Sequence, residues 1–171
     1  VLTIAMGMQM PEEGTMAEGW FNNYNQDTYR TADYDSELAS ERGRQAIADR
    51  LEEFADDPQM ALEFYKNKTL SQWAEPTYES LWLSFPMDSV WQDEPLTAFQ
   101  KAVYQGGLNL LLEGWMDLYQ SLVWLWATIY VAARRKKLEV PQLAPGLVIL
   151  GGFLFQLLWE GKSQYTMVYF L

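Results

Sequence analysis

The sequence predicts a mainly α-helical chain in which an extracytoplasmic helical region leads into transmembrane helices, as a fragment of a multispanning membrane protein. Three observations predict it. An apolar stretch from Gly114 to Ala133 runs into Arg134-Arg135-Lys136-Lys137, and a second apolar stretch follows from Leu143 to Trp159. About 20 mainly apolar residues cross a bilayer core as a helix, and a Lys/Arg cluster between two such spans marks the cytoplasmic side. The charge divides accordingly: residues 1–133 carry 21 Asp/Glu against 7 Lys/Arg (−14), and residues 134–171 carry 2 against 5 (+3), within a chain of net charge −11. Trp115 and Trp159 fall near the outer ends of the two spans, at the interfacial depth that Trp favours.

The elements follow in order. Residues 1–107 form an extracytoplasmic region of helices and loops. Its first 35 residues, with Pro11, Gly14, Gly19 and Asn22-Asn23-Tyr24-Asn25, read as loop. A helix starts near Ser36, a predicted N-cap, and carries Leu38, Ile47, Leu51 and Phe54 as an apolar stripe to about Asp56. Asp57-Pro58 restarts the chain as a second helix, since Asp caps free N–H groups and Pro fits the first helical position. It carries Met60, Phe64, Leu70 and Trp73 and ends before Pro76. Residues 76–95, with Trp82, Phe85, Pro86, Trp91 and Pro95, predict an irregular segment near the headgroups. A short helix over 96–104 leads through Gly106-Gly107 into a span at 108–133. A basic cytoplasmic loop at 134–142, tightened by Pro141 and Pro145, precedes a span at 143–159. An outer loop at 160–165 and the start of a further span at 166–171 complete the division.

Composition narrows the chemistry. With no Cys and no His, thiolate chemistry, Cys-ligated zinc and imidazole catalysis are excluded from these residues. Mg²⁺ or Ca²⁺ on carboxylates stays open, and the acidic run Glu52, Glu53, Asp56, Asp57 lacks the spacing of a calcium loop. A −14 outer region argues against nucleic acid as a partner, because phosphate binding needs clustered cations. Asp117 lies within about a turn of the outer boundary of its span and reads as a boundary carboxylate, with a functional intramembrane carboxylate as the alternative. Asn67-Lys68-Thr69 is a glycosylation-type tripeptide that fits surface exposure.

Two clusters are candidate sites. The outer loop reads Trp159-Glu160-Gly161-Lys162-Ser163-Gln164-Tyr165. A lone Lys at headgroup level beside hydrogen-bonding side chains can hold a lipid phosphate, and it can equally be a snorkelling interfacial turn. Gln72-Trp73-Ala74-Glu75-Pro76-Thr77-Tyr78 sets Trp73 and Glu75 at a forced bend. An indole covers a pyranose face while carboxylate and hydroxyl take its hydroxyls; the same set also anchors a loop by packing.

The order of features carries a resemblance. Ala5-Met6-Gly7-Met8, Gly19-Trp20-Phe21-Asn22-Asn23-Tyr24-Asn25, Asp57-Pro58, Phe64-Tyr65-Lys66-Asn67-Lys68, Gln72-Trp73-Ala74-Glu75-Pro76 and Leu157-Leu158-Trp159-Glu160-Gly161-Lys162-Ser163-Gln164-Tyr165 succeed one another along most of the chain. In this order the chain resembles the C-terminal part of bacterial membrane glycosyltransferases similar to family 39, the protein O-mannosyltransferase-like members of the GT-C superfamily. The sharpest piece is residues 159–165. The resemblance implies transfer of a sugar from a polyprenyl-phosphate carrier to an extracytoplasmic acceptor, with the catalytic acidic residue in an early outer loop outside these residues. It implies Lys162 near the carrier phosphate and Glu160, Gln164 and Tyr165 shaping the same cavity. Membrane lipids and the rest of the same polypeptide are the implied partners, no catalytic or metal-binding residue is assigned here, and a divalent cation in the full-length protein stays open. The competing reading is a non-enzymatic membrane-anchored extracytoplasmic sensor or assembly subunit. A transporter is disfavoured, because no charged residue sits near the middle of either span.

Overall fold

A computed structural model describes residues 1–11, 17–21, 23–81, 97–135 and 139–170. Trp82, Phe85, Pro86, Trp91, Pro95, Lys136 and Lys137, which figured in the predicted headgroup segment and basic loop, lie outside the described residues, as do Gly14 and Asn22. The described chain is mainly α-helical, with no strand among the described residues. It falls into two compact units, Val1–Ser71 with Val148–Lys162, and Gln72–Leu147 with Ser163–Leu171.

The first unit is built on helices α1 (Leu2–Met6), α2 (Tyr24–Thr31), α3 (Ser36–Asp56) and most of α4 (Pro58–Trp73). The first two fall where the sequence predicted loop. They are short and gain their stability by packing on α3 and on each other, a tertiary effect that local composition does not show. Gly43 in mid-α3 is the seat of α1: a Cβ there would lie 2.9 Å from the Leu2 side chain and 3.0 Å from that of Val1. The α3 N-cap is Asp35 rather than Ser36. Its Oδ1 accepts from Glu37 N–H at 2.8 Å and Leu38 N–H at 3.0 Å, which a carboxylate at a helix N-terminus does well. Asp57 caps α4 as predicted, accepting from Gln59 and Met60 N–H at 3.1 Å each.

The core of this unit is Met8, Phe54 and Phe64, with Ile4, Ile47, Met60, Ala61 and Tyr65 packed against it. Phe54, Phe64 and Tyr65 form an aromatic trio with centroids 5.2–5.7 Å apart. Of the predicted stripes, Leu38, Leu51 and Leu70 are exposed instead. The inward face of α4 is Phe64, Lys68 and Gln72, at i, i+4, i+8, so two of its inward positions are polar.

The second unit contains α5 (Ala98–Tyr104), opened by a Thr97/Gln100 capping box, and α6 (Gly107–Arg134). At 28 residues α6 is about 42 Å long and covers the span predicted at 108–133, but by length and apolarity together it does not qualify as a membrane-crossing helix. Leu111, Trp115, Leu118, Leu125, Trp126 and Val131 are among its many exposed apolar side chains. Helix α7 (Val140–Leu158) begins in this unit and ends in the first. Among the described residues it is the one helix both long and apolar enough to cross a membrane. It starts earlier than the predicted span and takes both prolines: Pro141 sits in the first turn, where no N–H is needed, and Pro145 lies inside, unable to donate to the Pro141 carbonyl. After α7 come two 3₁₀ turns, Ser163–Tyr165 and Met167–Tyr169, the second of them within residues 166–171, where the sequence predicts the start of a further span.

Candidate functional site

The exit of α7 carries the first cluster. Leu158 ends the helix, and the chain is then held by backbone: Gly161 N–H donates to Gly19 O at 2.7 Å. Gly19 has φ +76°, a left-handed conformation that glycine adopts without cost. A Cβ on Gly161 would stand 2.5 Å from Glu18 O, and one on Gly7 would run into the Trp159 carbonyl. Three glycines thus let three backbone segments meet. Beside this junction Lys162 Nζ pairs with Glu160 Oε1 at 2.7 Å, the two side chains retaining 17% and 10% exposure. The ammonium also lies 5.4 Å over the buried Trp20 ring, in cation–π range. A lysine ammonium makes charge-assisted bonds with carboxylates, as it does here with Glu160, and with phosphates alike.

Below the junction lies Lys68, at 0% exposure. Its Nζ donates to Gly7 O, to Trp159 O at 2.7 Å and to Leu157 O at 3.0 Å. Two of these acceptors belong to the C-terminal end of α7, where carbonyls lack helical partners and the helix dipole is negative. Burial pushes the Lys68 pKa down to about 7, while three carbonyl acceptors work in the opposite sense by favouring the protonated amine.

The second cluster lies in the other unit, after α4. Glu75 Oε1 accepts from Thr77 N–H at 2.9 Å and from the Thr77 hydroxyl. Its Oε2 accepts from Glu79 N–H at 2.8 Å and from Ser163 Oγ at 2.7 Å. Thr166 Oγ1 lies 2.8 Å from both Gln72 O and Ser163 O, and its single hydroxyl hydrogen is shared between these two acceptors. Thr77, Glu79, Ser163 and Thr166 are buried. Tyr78 and Glu79 have φ of 50° and 66°, two successive non-glycine residues in left-handed conformation, each costing about 1–3 kcal/mol. The Glu75 network is what holds them. Burial pushes the Tyr78 phenol up, helped by Tyr119 and Glu75 and opposed by Gln120.

Each predicted site residue now has a place. Lys162 and Glu160 pair with each other. Glu75 meets Ser163, and both its carboxylate oxygens accept from the 75–79 turn and that serine. Trp73 is buried against Trp124, Tyr169 and Phe170, with centroids 6.2, 5.3 and 6.4 Å away, which is packing. Gln164 and Tyr165 are exposed on the 3₁₀ turn. Among the described residues no group of three or more acidic side chains is arranged to hold a metal ion. Sequence reasoning missed Lys68 and Glu79. Lys68 had a signal, since it stands four residues after Phe64 on the inward face of α4; within the tripeptide that fits surface exposure Asn67 is exposed but Lys68 is buried. No protein-family model matches the chain, and neither a curated protein nor a solved structure is significantly similar to it.

Proposed function

We propose that this chain is the C-terminal portion of an integral membrane glycosyltransferase similar to family 39 of the GT-C superfamily, which moves a sugar from a polyprenyl-phosphate carrier to an extracytoplasmic acceptor. In this reading α6 and α7 are two of several spans, residues 1–107 lie outside the cytoplasm, and the catalytic acid lies outside these 171 residues. The observation that supports it most is Lys162, a largely buried cation at the exit of an apolar helix, seated over Trp20. Negative charge develops on the carrier phosphate as it leaves, so a preplaced cation stabilises the transition state more than the ground state.

Lys162→Ala in the complete natural polypeptide, assayed for transfer from a polyprenyl-phosphate sugar in vesicles, should lower turnover by about 10²-fold. Unchanged turnover with intact expression removes Lys162 from the mechanism. One observation favours a membrane-anchored sensor or assembly subunit as the second reading: Glu160 already neutralises Lys162, and Glu75 is spent on its own turn. Failure of the complete wild-type polypeptide to transfer any such sugar would favour that reading.

A further inference from the structure

We propose that Lys68 is a positioning residue: as an internal cap on the C-terminus of α7, it fixes the turn that presents Glu160 and Lys162. A helix of this kind ordinarily ends on its own backbone, with a left-handed glycine whose N–H groups turn back to the last carbonyls. Here Gly161 is spent on Gly19 across the junction, and Lys162 N–H turns only to Glu160 O at 3.1 Å. The carbonyls of Leu157 and Trp159 receive their donors from α4, 89 and 91 residues away in sequence. The same nitrogen reaches Gly7 O, so one side chain joins the end of α1, the inward face of α4 and the exit of α7. Its stem runs beside Gly19: a Cβ there would lie 2.8 Å from Lys68 Cε and 2.6 Å from Gly7 O. The ion pair of Lys162 is with a residue of the same turn, and beyond that turn its ammonium lies over the Trp20 ring at 5.4 Å, so the turn's backbone is held by Lys68 and Gly19 and not by Lys162. The cap's importance for transfer rests on the reading above, but its geometry can be tested without any activity.

The Lys162–Ser163 peptide bond is a natural reporter, because trypsin cuts after Lys and can reach a held turn only through local opening. In the intact chain in detergent, cleavage at this bond should be slow. Lys68→Met keeps the length of the stem and removes every donor; it should speed that cleavage by about ten-fold or more, through loss of hydrogen bonds that hold the turn closed. Lys68→Arg, which restores donors, should return it toward the native rate. Phe64→Ala serves as a control for general loosening and should accelerate cleavage throughout the first unit without singling out this bond. Equal cleavage of the Lys68→Met and native chains overturns the proposal. If Lys68→Met does not fold, slow cleavage in Lys68→Arg sustains the proposal, and failure of the arginine variant as well overturns it by showing that stem shape matters rather than donors. None of these outcomes depends on sugar transfer, so the cap can fail while the transferase reading stands, and the reverse.

Discussion

Gly161→Ala is the most sharply specified perturbation of the junction. The added Cβ meets backbone, 2.5 Å from Glu18 O and 3.2 Å from the Gly19 carbonyl carbon, so relief requires one chain segment to move and not merely a side chain to rotate. Overpacking of this kind costs about 1–3 kcal/mol. Moving the segments apart also stretches the 2.7 Å bond from Gly161 N–H to Gly19 O, a further loss of about 0.5–1.5 kcal/mol. Together these give about 1.5–4.5 kcal/mol. Gly151→Ala is the matched control: nothing lies within 4 Å of its Cβ position, and in a helix interior Ala is preferred over Gly. Denaturant titration of both variants in the same detergent, followed by Trp fluorescence, compares them directly. A Gly161→Ala chain within about 0.5 kcal/mol of the control would refute the close backbone approach at the exit of α7.

Other outcomes follow from the same geometry. Ser163→Ala removes the hydroxyl that donates to Glu75 at 2.7 Å in a buried setting, and should cost about 1–3 kcal/mol by thermal or chemical denaturation; a neutral result would mean that water replaces it. Phe64→Ala empties the centre of the first unit's core and should cost about 3–5 kcal/mol, with a smaller loss indicating collapse of Phe54 and Tyr65 into the space. For pH, burial lowers Lys68 to about 7 in the folded chain, whereas the unfolded chain keeps that proton up to about 10.4. Between those values the unfolded state binds more protons, so native stability should rise with pH relative to Lys68→Met. Parallel pH profiles for the two chains would show that the carbonyls keep the amine protonated throughout.

The helical class, the Asp57-Pro58 restart and the long apolar helix α7 could be read from the sequence because each rests on local chemistry: a cap, a fixed φ, an unbroken apolar run. The 159–165 stretch was equally visible as a cluster. Its partners were not, because Gly19, Trp20 and Glu75 are brought to it by tertiary structure across roughly 90 to 140 residues of chain. The apolar stripe assigned to α3 and α4 misled for a related reason. Leu38, Leu51 and Leu70 are the obvious hydrophobes, yet they are exposed, while Lys68 and Gln72 turn inward. A buried polar side chain is recognisable only once its acceptors are known, and those acceptors are backbone carbonyls that no residue type announces. The α1 and α2 segments escaped because helices of 5 and 8 residues carry too little periodicity to stand out.

Pro145 gives α7 two unlike ends. Near its start, the Pro141 carbonyl has lost its ordinary helical donor, so the ladder is broken one turn into the rod. At its finish, an amine from another helix and a glycine-to-glycine bond rivet it in place. Any bending of this helix is therefore expected at the proline, where one backbone hydrogen bond is missing, and not at its anchored last turn.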